Sequence, residues 1–109
     1  MNMTRGFDDF NAHLLGAVDK ALQLFGEANK SAIYSAFEKT CQIRREKIPE
    51  RLEDFHKTLE GIFGVTATDL IDKIIVREFY SRIGLDLKEV KSWKLIDCFN
   101  EAKKIKGAC

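Results

Sequence analysis

The segment Thr66–Gly84 reads TATDLIDKIIVREFYSRIG and carries eight large apolar or aromatic side chains: Leu70, Ile71, Ile74, Ile75, Val76, Phe79, Tyr80 and Ile83. Their spacing follows the helical period, yet on a helical wheel they cover most of the circumference and not one stripe. A helix at a protein surface keeps a polar face; one that is apolar nearly all round belongs at the centre of a bundle. Thr66 and Asp69 stand at capping-box spacing and predict the start of this helix, with Thr68 as a rival cap. Gly84 predicts its end.

The flanking sequence supplies partners for such a helix. Toward the N-terminus, Phe7, Phe10, Leu14, Val18, Ala21, Leu22 and Phe25 recur at three- and four-residue steps, one stripe of a first helix about five turns long. Asp8 and Asp9 suit its positive end, Gly26 is placed to stop it, and Gly16 either weakens it or admits a close neighbour. A second helix is expected from about Glu27 to Thr40, with Ala28, Ala32, Ile33, Ala36 and Phe37 on its apolar side and Tyr34 beside them. After an irregular stretch with Ile43 and Ile48 as core plugs, Pro49 suits the first turn of a third helix. That helix carries Leu52, Phe55, Leu59, Ile62 and Phe63 inward and ends at Gly64. Beyond Gly84, Asp86 and Glu89 are spaced to open a fifth helix bearing Leu87, Val90, Leu95, Ile96, Phe99 and Ala102. The expectation is a single all-α domain over residues 1–109, a compact bundle of about five helices with short connections.

Composition narrows the function classes. The chain has 109 residues, 45% hydrophobic and 32% charged, with a formal charge of +1, which sets it apart from strongly basic nucleic-acid modules. Cys41, Cys98 and Cys109 are odd in number and far apart, so neither a disulfide framework nor a zinc ribbon is expected. With no run of about twenty apolar residues and an acidic N-terminal segment unlike a signal peptide, a cytoplasmic location is expected. Neither histidine has a His or Cys one helical turn away, and no metal or cofactor is expected.

The candidate chemistry is sparse. Arg51 and His56 form Arg-x4-His, which resembles the signature of HEPN-type helical ribonucleases. That resemblance implies a dimer whose cleft pairs two such motifs, the histidine exchanging a proton with a ribose hydroxyl and the arginine stabilising phosphorane charge. Glu50, Glu53 and Asp54 crowd the pair, and five residues on a helix set the two side chains about 140° apart, so a solvated helix face is the favoured reading. Arg44, Arg45 and Lys47 form a short basic cluster diluted by Glu46 and Glu50, the basis of a weaker nucleic-acid-binding alternative. Trp93, Tyr34 and Tyr80 are the candidate contacts for a protein partner or for self-association.

The middle of the chain also resembles a known family. Lys30-Ser-Ala-Ile-Tyr34, Phe37-Glu38, Ile48-Pro49-Glu50, Phe55, Leu59-Glu60-x-Ile-Phe-Gly64, and then Ala67, Ile71, Ile75, Glu78, Phe79, Tyr80 and Ile83-Gly84 are similar to the Nitrosopumilus output domain. The resemblance covers roughly residues 20–85 and leaves 86–109 as an additional C-terminal helix. It implies an archaeal, cytoplasmic helical domain, sometimes an accessory to signalling proteins, and brings no catalytic residues. The function expected from the sequence is therefore a non-enzymatic interaction or regulatory module.

Overall fold

The computed structural model describes residues 5–90 and 93–106, with the side chains of residues 5–9, 89 and 106 left aside. Phe7, Asp8, Asp9, Lys91, Ser92 and Cys109 thus fall, wholly or in their side chains, outside the described residues. The chain is an all-α bundle with no strand among the described residues: α1 (Arg5–Gln23), α2 (Glu27–Cys41), a 3₁₀ helix (Arg45–Glu50), α3 (Leu52–Phe63), α4 (Val65–Ile83), a 3₁₀ turn (Leu87–Glu89) and α5 (Leu95–Lys106).

The α4 pattern does what its circumference requires. Ile71, Ile75, Val76, Phe79 and Tyr80 are buried, and the helix packs on α1, α3 and α5. Opposite it, α1 buries Phe10, Leu14, Val18, Ala21 and Leu22 from the expected stripe. Phe10 meets Phe79 edge-on at 5.2 Å and Phe99 at 5.3 Å, which ties α1, α4 and α5 together. Phe37 against Phe55, edge-on at 5.6 Å, fastens α2 to α3. Each such ring contributes roughly 1.5–3 kcal/mol through burial alone. A Cβ at Gly16 would stand 2.6 Å from the Arg82 guanidinium, the end of a flexible, exposed side chain that can move aside.

The helix boundaries differ from expectation in three places, each for a local reason. Gly64, at φ +86°, both ends α3 and begins α4, so α4 starts at Val65 with no side-chain cap and the Thr66–Asp69 capping box does not form. Thr68 is drawn fully into the interior. Pro49 lies buried inside the 3₁₀ helix, and α3 starts only at Leu52, after Arg51 breaks the run in a non-helical conformation at φ −133°, ψ 46°. Asp86 accepts from the Lys88 N–H at 3.0 Å but caps only a three-residue turn; Val90 is extended, and α5 begins at Leu95.

The inward face of α5 is accordingly Leu95, Cys98, Phe99 and Ala102, a helical i, i+3, i+4, i+7 set, while Ile96 turns outward. Leu87 is exposed in its turn and Val90 half-buried. Ala28 and Ala32 are exposed on α2, where only Ile33 and Phe37 are buried; Leu70 and Ile62 also stand outside the core faces assigned to them. Gly84 does terminate α4 in a left-handed conformation, and the following Leu85 N–H returns to the Tyr80 carbonyl at 2.9 Å.

Candidate functional site

Helices α3 and α4 form a hairpin about Gly64, so residues equidistant from that glycine come face to face. His56 lies eight residues before it and Asp72 eight after, and the two meet: His56 Nδ1 is 3.0 Å from Asp72 Oδ2. On its other side His56 Nε2 is 3.1 Å from Glu60 Oε2, one turn along α3. The imidazole is a quarter exposed, whereas the Asp72 side chain is only 3% exposed. Burial pushes the Asp72 carboxyl up to about 6; His56 opposes that rise, while Asp69 and Glu60 reinforce it.

The second Asp72 oxygen, Oδ1, is buried with no hydrogen-bond partner, and so is Oγ1 of Thr68, one turn earlier on α4. Two hollows lie nearby, one bordered by His56 and the other by Asp72, with Lys94 in the wall of both. One, of about 310 Å³, lies between α3 and the start of α5 and is walled by His56, Lys57, Glu60, Lys94 and Leu95 among others. The other, of about 260 Å³, is lined by Asp69, Asp72 and Lys73 of α4 and by Trp93 and Lys94 ahead of α5. The Arg77 guanidinium sits 5.9 Å from the centroid of the Trp93 ring.

The expected site residues are thus sorted. His56 and Trp93 border adjoining hollows. Arg51 does not join His56: its guanidinium pairs with Asp54, and it does not line the cleft that His56 lines. Tyr34 is half-buried, its hydroxyl donating to Asp19, while Arg45 grips both Asp19 oxygens and lies 5.9 Å over the Tyr34 ring. Burial works against the Asp19 charge, but the Arg45 and Tyr34 hydrogen bonds together hold its carboxyl below the ordinary value. Burial, with the Asp19 hydrogen bond added, pushes the Tyr34 hydroxyl above its own. This brace joins α1, α2 and the 3₁₀ helix.

One expectation is corrected outright. Tyr80 is fully buried, with its hydroxyl toward the Cys98 carbonyl at 3.5 Å, and belongs to the core, not to a contact surface. In the basic cluster Arg45 pairs with Asp19, while Arg44 is exposed and Lys47 lies 3.9 Å from Glu50 at the surface. The two described cysteines behave as packing residues. Cys98 is buried, which pushes its thiol up to about 11, and Cys41 Sγ lies 3.5 Å from Thr58 Oγ1.

Exposed apolar side chains lie on α4 (Val65, Leu70) and α5 (Ile96, Ile105), and a further group gathers at the pole formed by the α1–α2 and α3–α4 turns. Phe25 and Phe63 stack there at 5.6 Å, joining the two turns. Around them Leu24 is 67% exposed, Val65 61% and Ile62 46%.

Asp72 is the candidate site residue absent from the sequence-based set; counting equal distances outward from Gly64 is the signal that finds it. Among the described residues no group of three or more His, Cys, Asp or Glu side chains is arranged to hold a metal, and no helix is long and apolar enough to cross a membrane. No protein family, no curated protein and no solved structure matches the chain.

Proposed function

We propose that the protein is a non-enzymatic helical interaction module that docks a protein partner, in the first instance a second copy of itself, on its apolar pole. The observation that carries this reading is the exposure of Leu24, Ile62 and Val65 around the Phe25–Phe63 stack. Exposed apolar surface here is on the order of 300–400 Å², the size of the largest patch on an ordinary monomer, which is often functional. It is roughly half of one partner's share in a standard stable interface, so the contact is transient at low concentration. A cytoplasmic setting and a place in signalling, as in the Nitrosopumilus output domain that the chain resembles, belong to the same proposal.

The ribonuclease alternative has less support. Its arginine is paired away on Asp54, and its histidine is held between two carboxylates, whose charge repels a phosphodiester. The nucleic-acid alternative loses Arg45 to Asp19.

Light scattering coupled to size exclusion tests the proposal. The mass is expected to rise above 12.5 kDa as concentration increases, and to stay monomeric in the double variant Leu24→Asp, Val65→Asp with an unchanged melt. A wild-type chain that remains monomeric throughout the concentration series sinks docking between copies.

A further inference from the structure

We propose that the proton on Asp72 is a latch for the first turn of α5: when it leaves, residues 93–99 lift from α4 while the other helices stay packed. The apolar pole plays no part in this.

Position comes first. Asp72 shares the wall of one hollow with Trp93 and Lys94, and its charge is felt at the buried Cys98 thiol one turn further on. Lys94, Leu95 and Ile96 border the neighbouring hollow with His56. The start of α5 therefore lies beside both members of the His56–Asp72 pair, over incompletely filled space. It is also the most easily parted of the surroundings. The chain is extended at Val90 before it, and α5 packs chiefly on α4 and α3, with Phe99 reaching Phe10 of α1. Lifting its first turn uncovers Leu95, Cys98 and Phe99, whereas the alternative routes to Asp72 part α4 from α3 or from α1 through the centre of the core. Local opening takes the route that breaks least packing.

Charge sets the direction. Asp72 is 2% exposed and its Oδ1 has no partner, so burial disfavours the carboxylate. Of the charges that act on it, His56 favours ionisation, while Asp69 on α4 and Glu60 on α3 oppose it. Glu60 also holds the other face of His56 at 3.1 Å and so shares that histidine's charge. From the α5 side, Lys94 and Asp97 bring one charge of each sign, and Lys73 is exposed on α4. The α1 helix carries His13, Asp19 and Lys20, of which Asp19 is held by Arg45 and Lys20 lies 3.6 Å from Glu78. The closed site thus keeps its proton to about pH 6, against an ordinary 3.8 once water reaches the carboxyl. A group held protonated more tightly in the closed state favours opening as pH rises, here by roughly fifty-fold between pH 4 and pH 7.

Amide hydrogen exchange on the full chain, read residue by residue and corrected for its intrinsic pH dependence, tests the latch. The Cys98 amide, bonded to the Lys94 carbonyl at 3.0 Å, and the Phe99 amide report the first turn of α5; Leu14 and Val18 report the core. In wild type the α5 amides are expected to lose protection by roughly fifty-fold from pH 4 to pH 7. At pH 7 they should exchange at least about tenfold faster than the core amides. Their rates should also ignore urea up to about 1 M, as local opening does, while core exchange accelerates. In Asp72→Asn the pH dependence of the α5 amides should vanish. If that variant does not fold, Asp69→Asn, a change at an exposed position, replaces it and should shift the loss of protection to lower pH. The latch is overturned if α5 protection is flat with pH in wild type, or if its pH dependence survives in the variant that folds unchanged. Exchange in α5 that matches the core in rate and in urea dependence overturns it too, because Asp72 would then act on the whole fold.

Discussion

The α3–α4 hairpin breaks the inside–outside rule twice, in opposite senses. At its tip, Ile62 and Val65 put large apolar side chains into water beside the Phe25–Phe63 stack. About 12 Å down the same hairpin, Asp72 puts a carboxylate into the interior against His56. Scattered exposed leucines carry little information; a contiguous apolar patch and a buried charge carry a good deal. The two also fail differently. An uncovered apolar side chain costs stability in proportion to its area and is relieved by any apolar partner. A buried carboxylate needs specific donors in specific places, and losing one of them costs more than burying a whole side chain returns.

The sharpest way to break that contrast is to remove the donor. His56→Ala leaves Asp72 buried with neither oxygen satisfied, and it is expected to destabilise the fold by about 2–4 kcal/mol at pH 7. Urea unfolding measures it. The same substitution at an exposed histidine would cost a few tenths, so a result under about 0.5 kcal/mol would show that the carboxylate finds water and that the two ends of the hairpin are alike.

Asp72 itself provides the next test, through pH. Its carboxyl titrates near 6 in the folded chain against an ordinary 3.8, chiefly because it is buried. The folded state therefore holds that proton more tightly than the unfolded chain does. The stability it contributes is complete below pH 3.8 and is lost as pH rises through about 6. Asp72→Asn removes this titration. The difference in stability between wild type and variant should therefore change by on the order of 2 kcal/mol between pH 4 and pH 7, in the direction of a relatively weaker wild type at the higher pH. A difference that stays flat across that range would mean an ordinary, solvated carboxylate.

The two regions were also unequally legible. The α1 stripe and the all-round apolar character of α4 are local periodicities, and they placed most of the core and the fold class. Glycine stops were legible too, because Gly64 and Gly84 meet a conformational demand that other residues meet poorly. What failed was the assignment of caps and of exposure. Thr66–Asp69 has the right spacing for a cap, but a single positive-φ glycine serving two helices removed the need for it. Asp86 has cap chemistry, but the chain turns extended at Val90 before a helix can propagate. Ile62 and Asp72 defeat the pattern for one shared reason. An apolar residue in a helix reads as inward and a charged one as outward, and only the pairing of α3 with α4 reverses either. Tyr34, Tyr80 and Trp93 were grouped as aromatics, yet their fates are set by the neighbours that folding brings: Asp19, Cys98 and Arg77.

Arg51 supplies the smallest effect and a control for the other two. It lies at the start of the same hairpin and forms an ion pair like His56, but its partner Asp54 is three residues away and the pair sits at the surface. Such pairs contribute about 0.2–0.5 kcal/mol, fall away with salt, and bury nothing when broken. Arg51→Ala is therefore expected to shift stability by no more than that at low salt and by less at about 1 M salt, where the attraction between exposed charges is weakened. The His56→Ala loss, by contrast, should persist in the same salt because the Asp72 carboxylate is shielded from it. The measurement has a second edge. If Arg51 and His56 acted together on RNA, each single substitution would abolish cleavage while only one of them touched stability. Two variants that differ in stability as described, and show no cleavage to lose, leave His56 to its bond with Asp72.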